Sequence, residues 1–369
     1  MRKLLIGLTI LFVLAGAAYG AFAWRSATIL ANYKDTNIDL GAVATADAEA
    51  LCPTPGHERL VCLANALKAG ISPELKARLQ LPYTVADAKK WNNLPPIGYP
   101  DRVGPTLGDF EPAQLGIIKA MLQEAAGFAR DEGYDELEQI LNADDYLMAN
   151  APGRGGFASS NYHIAFLGEP VASGTWELYF GGHHLAFANT YKDGKLAGAT
   201  PSFRGVEPFT SFEMNGRTNA PLAQEQAAFA AMLSALSADE RRRATLPEIF
   251  TNVVVGPQED DNFPAKREGI KVGDLNARQQ ALVLAAVETY VGDVSPLDAA
   301  AIVRKYRSEL GETYVAFAGT PAMNKVNDYV RIDGPSVWIE CSIQPGRSLP
   351  GIHPHSVWRD RRTDYAGNK

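Results

Sequence analysis

Between residues 60 and 150 the apolar positions recur at intervals of three and four. From 162 to 203 they crowd into short runs between turn residues, and after 223 both patterns return in the same order. The first spacing is that of amphipathic helices. It predicts helices in RLVCLANALKAG near Leu60, in AQLGIIKAMLQEAAGFA after Glu111-Pro112, and in YDELEQILNADDYLM. Asp109 is placed to cap the second of these, with Pro112 in the first turn, where its missing N–H does no harm. Beyond the breaker PGRGG, the segments YHIAFLG, WELYF, HLAFANTY and LAGATPSF read as strands. Turns are predicted at Gly168-Glu169-Pro170 and Lys192-Asp193-Gly194, and helices again at 223–236 and 237–244. Residues 24–55 and the Pro- and Gly-rich stretch 92–108 read as irregular, and Glu259-Asp260-Asp261 as a solvated acidic loop.

From Gly269 the order begins again. GIKVGDLNARQQALVLAAVE matches GPTLGDFEPAQLGIIKAMLQ, so that Gly104 aligns with Gly269, Asp109 with Asp274 and Gln114 with Gln279 at a common offset of 165. Further on, YVAFAGTP echoes HIAFLGEP, and YVRIDGPSVWIE echoes ELYFGGHHLAFA. An internal duplication with a period too long for a solenoid is the expectation. Helices followed by antiparallel strands, twice, indicate an α+β fold in which the strands of both halves form a central region and helices pack outside. The expected division is a leader at 1–23, an irregular and helical segment at 24–95, a first half at 96–260 and a second at 261–369.

Met1, Arg2 and Lys3 precede a run without charge from Leu4 to Trp24, leucine-rich at first and rich in small residues later. This is the layout of a secretory signal, with Ala18-Tyr19-Gly20 and Ala21-Phe22-Ala23 as cleavage tripeptides. The alternative is an uncleaved anchor, which would be the protein's sole membrane contact. Either reading predicts a periplasmic or secreted protein. Cys52 and Cys62, close together around Pro53, Pro55 and Gly56, then read as a disulfide, and Cys341 in VWIECSI as a buried inert thiol. The net charge of −7, with no basic stripe, excludes nucleic-acid binding.

Candidate chemistry rests on histidine. Of six, five lie after residue 160, and four of those form two close pairs, His183-His184 and His353-Pro354-His355. An H-x-H element on extended backbone presents two imidazoles on one side, a common way to supply two metal ligands. In the internal alignment His184 falls opposite Ser336, four residues before Glu340, so His184 and Glu340 point to equivalent faces of their strands. His-rich donors with one carboxylate suit zinc, then copper or iron, better than calcium or magnesium. A regular strand sends only one of His183 and His184 into a shared site, and the preceding glycines mark a bulge or a close backbone approach.

The chain resembles the family catalogued as domain of unknown function 3500. The likeness rests on W-x-x-x-x-x-GHHL from Trp176 to Leu185, ATPSFRGVEP at 199–208, YVRIDGPSVWIE at 329–340, and H-x-HSVWRD-x-x-x-DY from His353 to Tyr365. Cys341, often aromatic in that family, is a departure. The resemblance implies no activity, but it singles out His183, His184, Glu340, His355, Arg359 and Asp364 as motif positions. The expected function is an exported metal-dependent hydrolase. His184, Glu340, His353 and His355 would be metal ligands, His183 and Asp364 proton-transfer groups, and Arg359 the holder of an anionic part of a small-molecule substrate. A copper or iron oxidoreductase on the same site and a non-catalytic ligand-binding protein are the alternatives, with an envelope-associated scaffold of dispersed histidines as a third.

Overall fold

A computed structural model describes residues 33–368 apart from 128 and 152–155, together with 24, 25, 28, 29 and 31. The leader and its cleavage sites lie outside the described residues, as does most of the PGRGG breaker. Among the described residues no helix is long and apolar enough to cross a membrane.

The longer helices are α1 (His57–Ala69), α2 (Pro73–Leu79), α3 (Pro112–Ala126), α4 (Tyr134–Asn150), α5 (Ala223–Ser234), α6 (Ala238–Ala244), α7 (Ala277–Val291) and α8 (Pro296–Glu309). The strands are β1 (Gln80–Leu81), β2 (His163–Leu167), β3 (Thr175–Gly182), β4 (Leu185–Lys192), β5 (Lys195–Gly198), β6 (Ser202–Gly205), β7 (Phe212–Met214), β8 (Arg217–Asn219), β9 (Ile270–Lys271), β10 (Tyr314–Ala318), β11 (Tyr329–Asp333), β12 (Val337–Pro345) and β13 (Ile352–Asp360). Eleven of them make one sheet, in the order β1-β2-β3-β4-β6-β13-β12-β11-β10-β9 with β5 on β4, and β7-β8 is a separate ribbon. Only β1 and β2 pair in parallel. The fold is α+β, as the pattern predicted.

The sheet separates its faces with the strand period of two. Ile164, Phe166, Leu178, Phe180, Leu185 and Phe187 pack on α1, α3 and α4. Val315, Phe317, Val330, Ile332, Ile339 and Ile343 pack on α5 and α7. The alternate positions, among them Ala165, Tyr179, Ala186, Phe203 and Val357, meet the irregular segments around Trp91, Val103 and Val253. The helices therefore cover one face only, and loops cover the other. This refines the expectation of helices all round, because segments rich in Pro and Gly carry the second layer.

Several details recur at the 165-residue offset seen in the sequence. Arg78 Nη2 lies 2.7 Å from Asp109 Oδ2, and Arg243 Nη2 3.0 Å from Asp274 Oδ2. Gln114 Nε2 donates to Gly70 O at 2.8 Å, and Gln279 Nε2 to Ala235 O at 3.0 Å. The two glycines keep that offset but their contacts do not: a Cβ on Gly104 would sit 2.0 Å from Ile164 O and one on Gly269 2.2 Å from Val315 O, so both close approaches require glycine. The helices α5 and α6, which precede residue 260, pack within the core of β10 to β13. At α3 the cap is Glu111, in a capping box with Gln114, not Asp109. Asp109 instead ends a short 3-10 turn, where Oδ2 accepts from Thr106 N.

A buried ionic joint links α4, β6 and the end of α7 on the helical face. Arg204 of β6 donates to Glu136 Oε2 of α4 at 3.1 Å and to Asp293 Oδ2, just beyond α7, at 3.0 Å. Glu132 and Glu225 lie close enough for their charges to act on it. Burial, then the charge of Asp293, pushes the Glu136 carboxyl up, and burial first does the same to Glu132, Glu225 and Asp293.

Cys52 and Cys62 are bonded, closing a loop with a sequence separation of 10. Cys341 is free and buried, and burial pushes its thiol well up. Closing so short a loop stabilises by roughly 2–3 kcal/mol. A Cys52→Ser, Cys62→Ser double variant is expected to melt lower by that amount in denaturant titration. Reducing agent should lower the wild type to the same midpoint and leave the variant unchanged.

Candidate metal centre

The turn between β3 and β4 is made of two residues, His183 and His184, closed by the pair Gly182 and Leu185. His184 has φ of +61°, the left-handed region, which histidine enters more readily than most side chains. The two glycines before the turn permit close packing: a Cβ on Gly182 would lie 2.8 Å from the Tyr162 ring, and Tyr162 donates its hydroxyl to His183 O at 2.6 Å. Because this is a turn, not a continuing strand, both rings enter the same cavity and stack with centroids 3.6 Å apart. His353 and His355 alternate along β13 and reach the same place from the other half of the sheet. Gly205 of β6 is paired with His355, and its bare position accommodates the rings: a Cβ there would be 3.0 Å from His184 Cδ2 and 3.1 Å from His355 Cδ2.

All four imidazoles are buried. His184 Nε2 and His353 Nε2 face each other at 2.8 Å. His355 Nδ1 lies 2.6 Å from Gln344 Nε2 and 3.0 Å from Asn252 Oδ1, with Asn93 Nδ2 3.4 Å from its Nε2. Burial, then the neighbouring histidines, holds His184 and His355 well below the usual imidazole range. Burial takes His353 down to about 3. These are neutral rings, the form in which imidazole ligates a metal. Among the described residues two convergent groups have donors within 4.8 Å of one another: His184, His353 and His355; and Asp144, His183 and His184. Asp144, on α4, takes His183 Nδ1 at 2.6 Å.

A transition metal fits these residues. Two ligands at Zn–N distances of about 2.0–2.1 Å stand about 3.3 Å apart, within half an ångström of the facing pair. Among the described residues Nδ1 of His184 and of His353 has no partner, so each ring is hydrogen-bonded through Nε2 alone. The cavity they line holds about 620 Å³, with Phe157, Leu94, Glu207 and Arg347 also on its wall.

The remaining predicted residues stand apart. Glu340 shares the His355 face, but Ser342 is the residue paired with His355, and Glu340 pairs one step further on with Val357. Its carboxylate accepts four hydrogen bonds, from Val254 N, Val255 N, Tyr329 OH and Trp338 Nε1, between 2.7 and 3.0 Å. It anchors the loop that carries Asn252 and joins neither convergent group. Arg359 is equally engaged: Nε donates to Asp364 Oδ2 at 2.9 Å, Nη1 to Val255 O at 3.1 Å and Nη2 to Asp260 Oδ1 at 2.6 Å. Both Arg359 and Asp364 therefore hold the loop layer together and do not line the cavity. Sequence reasoning missed Asp144, Asn93, Asn252, Gln344 and Glu207, each too ordinary in its local string to be singled out.

Residues 55–367 match the family model described as a protein of unknown function, DUF3500. The chain belongs to this family. The GHHL and HSVWRD motifs that carried the resemblance are thus the β3–β4 turn and β13, the two elements that meet at the histidines. No curated protein and no solved structure matches the chain.

Proposed function

We propose that the cavity is the active site of a zinc-dependent hydrolase in an exported protein. Its ligands are His184, His353 and His355. The observation that carries this reading is the meeting of three buried neutral imidazoles with the Asp144–His183 pair. Imidazole donors suit zinc and copper, and zinc is the ion that hydrolysis would use. These three imidazoles would hold the ion, whose chemistry there would be to acidify a bound water, from 15.7 to about 7 in pKa. Asp144 accepts from His183 Nδ1–H, which fixes the tautomer and leaves Nε2 as the basic nitrogen. His183 then takes a proton from the attacking water, and Asp144 stabilises the imidazolium that results. Asn252, Asn93 and Gln344 hold the His355 ring in place, which raises the precision of the centre. Phe157 and Leu94 give the wall an apolar part that limits water. The disulfide accords with an oxidising compartment.

The test is elemental analysis of the purified protein, followed by a panel of carboxylic, phosphoric and amide substrates with the metal present. One equivalent of zinc and chelator-sensitive hydrolysis are expected. Asp144→Asn is expected to lower the rate about 10–100-fold while zinc is retained. One equivalent of copper in place of zinc, with no hydrolysis, would redirect the reading to redox chemistry. Absence of any metal after reconstitution would sink it.

A further inference from the structure

We propose that Glu207 binds a cationic group of the substrate, so the enzyme acts on molecules bearing an ammonium, amidinium or guanidinium. The inference rests on the cavity being the reaction site proposed above, and it names the substrate class. Glu207 follows Gly205 by two residues. With Gly205 paired to His355 and Val206 N donating to Pro354 O, the next position along places Glu207 across from His353. The residue is buried, 2% exposed, and lines the cavity.

Its two oxygens differ. Oε1 accepts from three successive backbone N–H groups, Arg347 at 2.7 Å, Ser348 at 2.8 Å and Leu349 at 2.8 Å. No described residue bonds Oε2, and Oε2 is not among the buried unpartnered atoms. It belongs to neither convergent metal group. A carboxylate fixed through one oxygen and bare at the other, in a partly apolar cavity, is a preformed partner for a cation. The other charges on the wall are Glu259 and Arg347, both exposed, and Asp144 behind His183. Arg359, the expected holder of an anion, is not on this wall. The two buried charged groups about the histidines, Glu207 and Asp144, are thus both acidic, and the cation that acts on His353 and His355 is the exposed Arg347.

Calorimetric titration of benzamidine, benzamide and benzoate into the zinc-loaded protein tests this. The three share one ring and differ in charge. Benzamidine is expected to bind at least about tenfold tighter than benzamide in the wild type, while benzoate, which ligates zinc directly, reports the metal. Glu207→Gln should bring benzamidine and benzamide within about twofold, while Glu259→Gln keeps the preference. Zinc content is measured on the same samples. A wild type that binds no zinc yet prefers benzamidine overturns the metal reading and leaves the Glu207 anchor standing. Equal binding of benzamidine and benzamide, or no binding of benzamidine, overturns the anchor, whatever the zinc content. Glutamine retains an acceptor for the three N–H groups; were that variant still not to fold, the wild-type ranking and Glu259→Gln decide.

Discussion

Replacing His184 by alanine is expected to weaken zinc binding by more than about 100-fold and to erase the stabilisation that zinc confers. His184 is the one residue common to both convergent groups, so its loss leaves each of them with two donors. Zinc at about 100 times its Kd adds about 2.7 kcal/mol to wild-type stability, a clear rise in melting temperature. In the variant that rise should vanish. The metal-free variant should itself lose stability, because the buried ring packs on His183 and alanine is strained at φ of +61°, so the zinc-dependent rise is read within each protein. His163→Ala is the control. Its Nδ1 lies 2.9 Å from Gly104 O, and it belongs to neither group, so the zinc-dependent rise should persist. A full rise in the His184 variant, or none in the wild type, would refute the assignment.

Arg204→Met is expected to cause the largest loss of stability of any single change away from the cavity, about 3–5 kcal/mol. The guanidinium is 1% exposed and bonds both Glu136 and Asp293. Removing it leaves carboxylates from α4 and the end of α7 facing one another with Glu132 and Glu225 nearby and nothing positive between them. Wild-type stability should also depend on pH. The Glu132, Glu136, Glu225 and Asp293 carboxyls are raised by burial, and Glu177 is pushed up to about 7 by burial alone. A raised folded value means the native state holds protons that the unfolded chain releases near pH 4.3–4.5. This contribution is therefore complete below about pH 4 and is lost as pH rises through 7 and beyond. Urea midpoints from pH 5 to 9 should fall, and fall more steeply in Arg204→Met. A flat profile in both proteins would count against the joint.

The elements were legible because each face of the sheet and each helix is periodic. Leu115, Ile118, Met121 and Leu122 announce α3, and the short apolar run in HIAFL, ended by a turn, announces β2. The histidine pairs were legible because H-H and H-x-H stand out against a background poor in histidine. Asp144 was not: in ELEQILNADD an acidic residue looks like a solvated helix face, and its partner is 39 positions away. Glu340 shows a different limit. Even spacing reports the face of a strand, not the distance along it, and a two-residue step of about 6.6 Å is enough to leave a site. Arg359 lies on that same face, still further along β13. Glu207 was only one position of the string ATPSFRGVEP, and only the fold of 347–349 brings three N–H groups onto its carboxylate.

The pairing of β6 with β13 is the seam where the two runs of strands meet, and the histidines lie across it. Closing that seam joins residues about 150 apart in sequence, among the most entropically costly contacts in the chain. An ion bridging His184 to His353 therefore acts on the assembly of the sheet as well as on chemistry. Amide protons along β6 and β13, including that of Gly205, should exchange with deuterium more slowly in the zinc-loaded protein, while those of the outer strands β2 and β10 keep their rates.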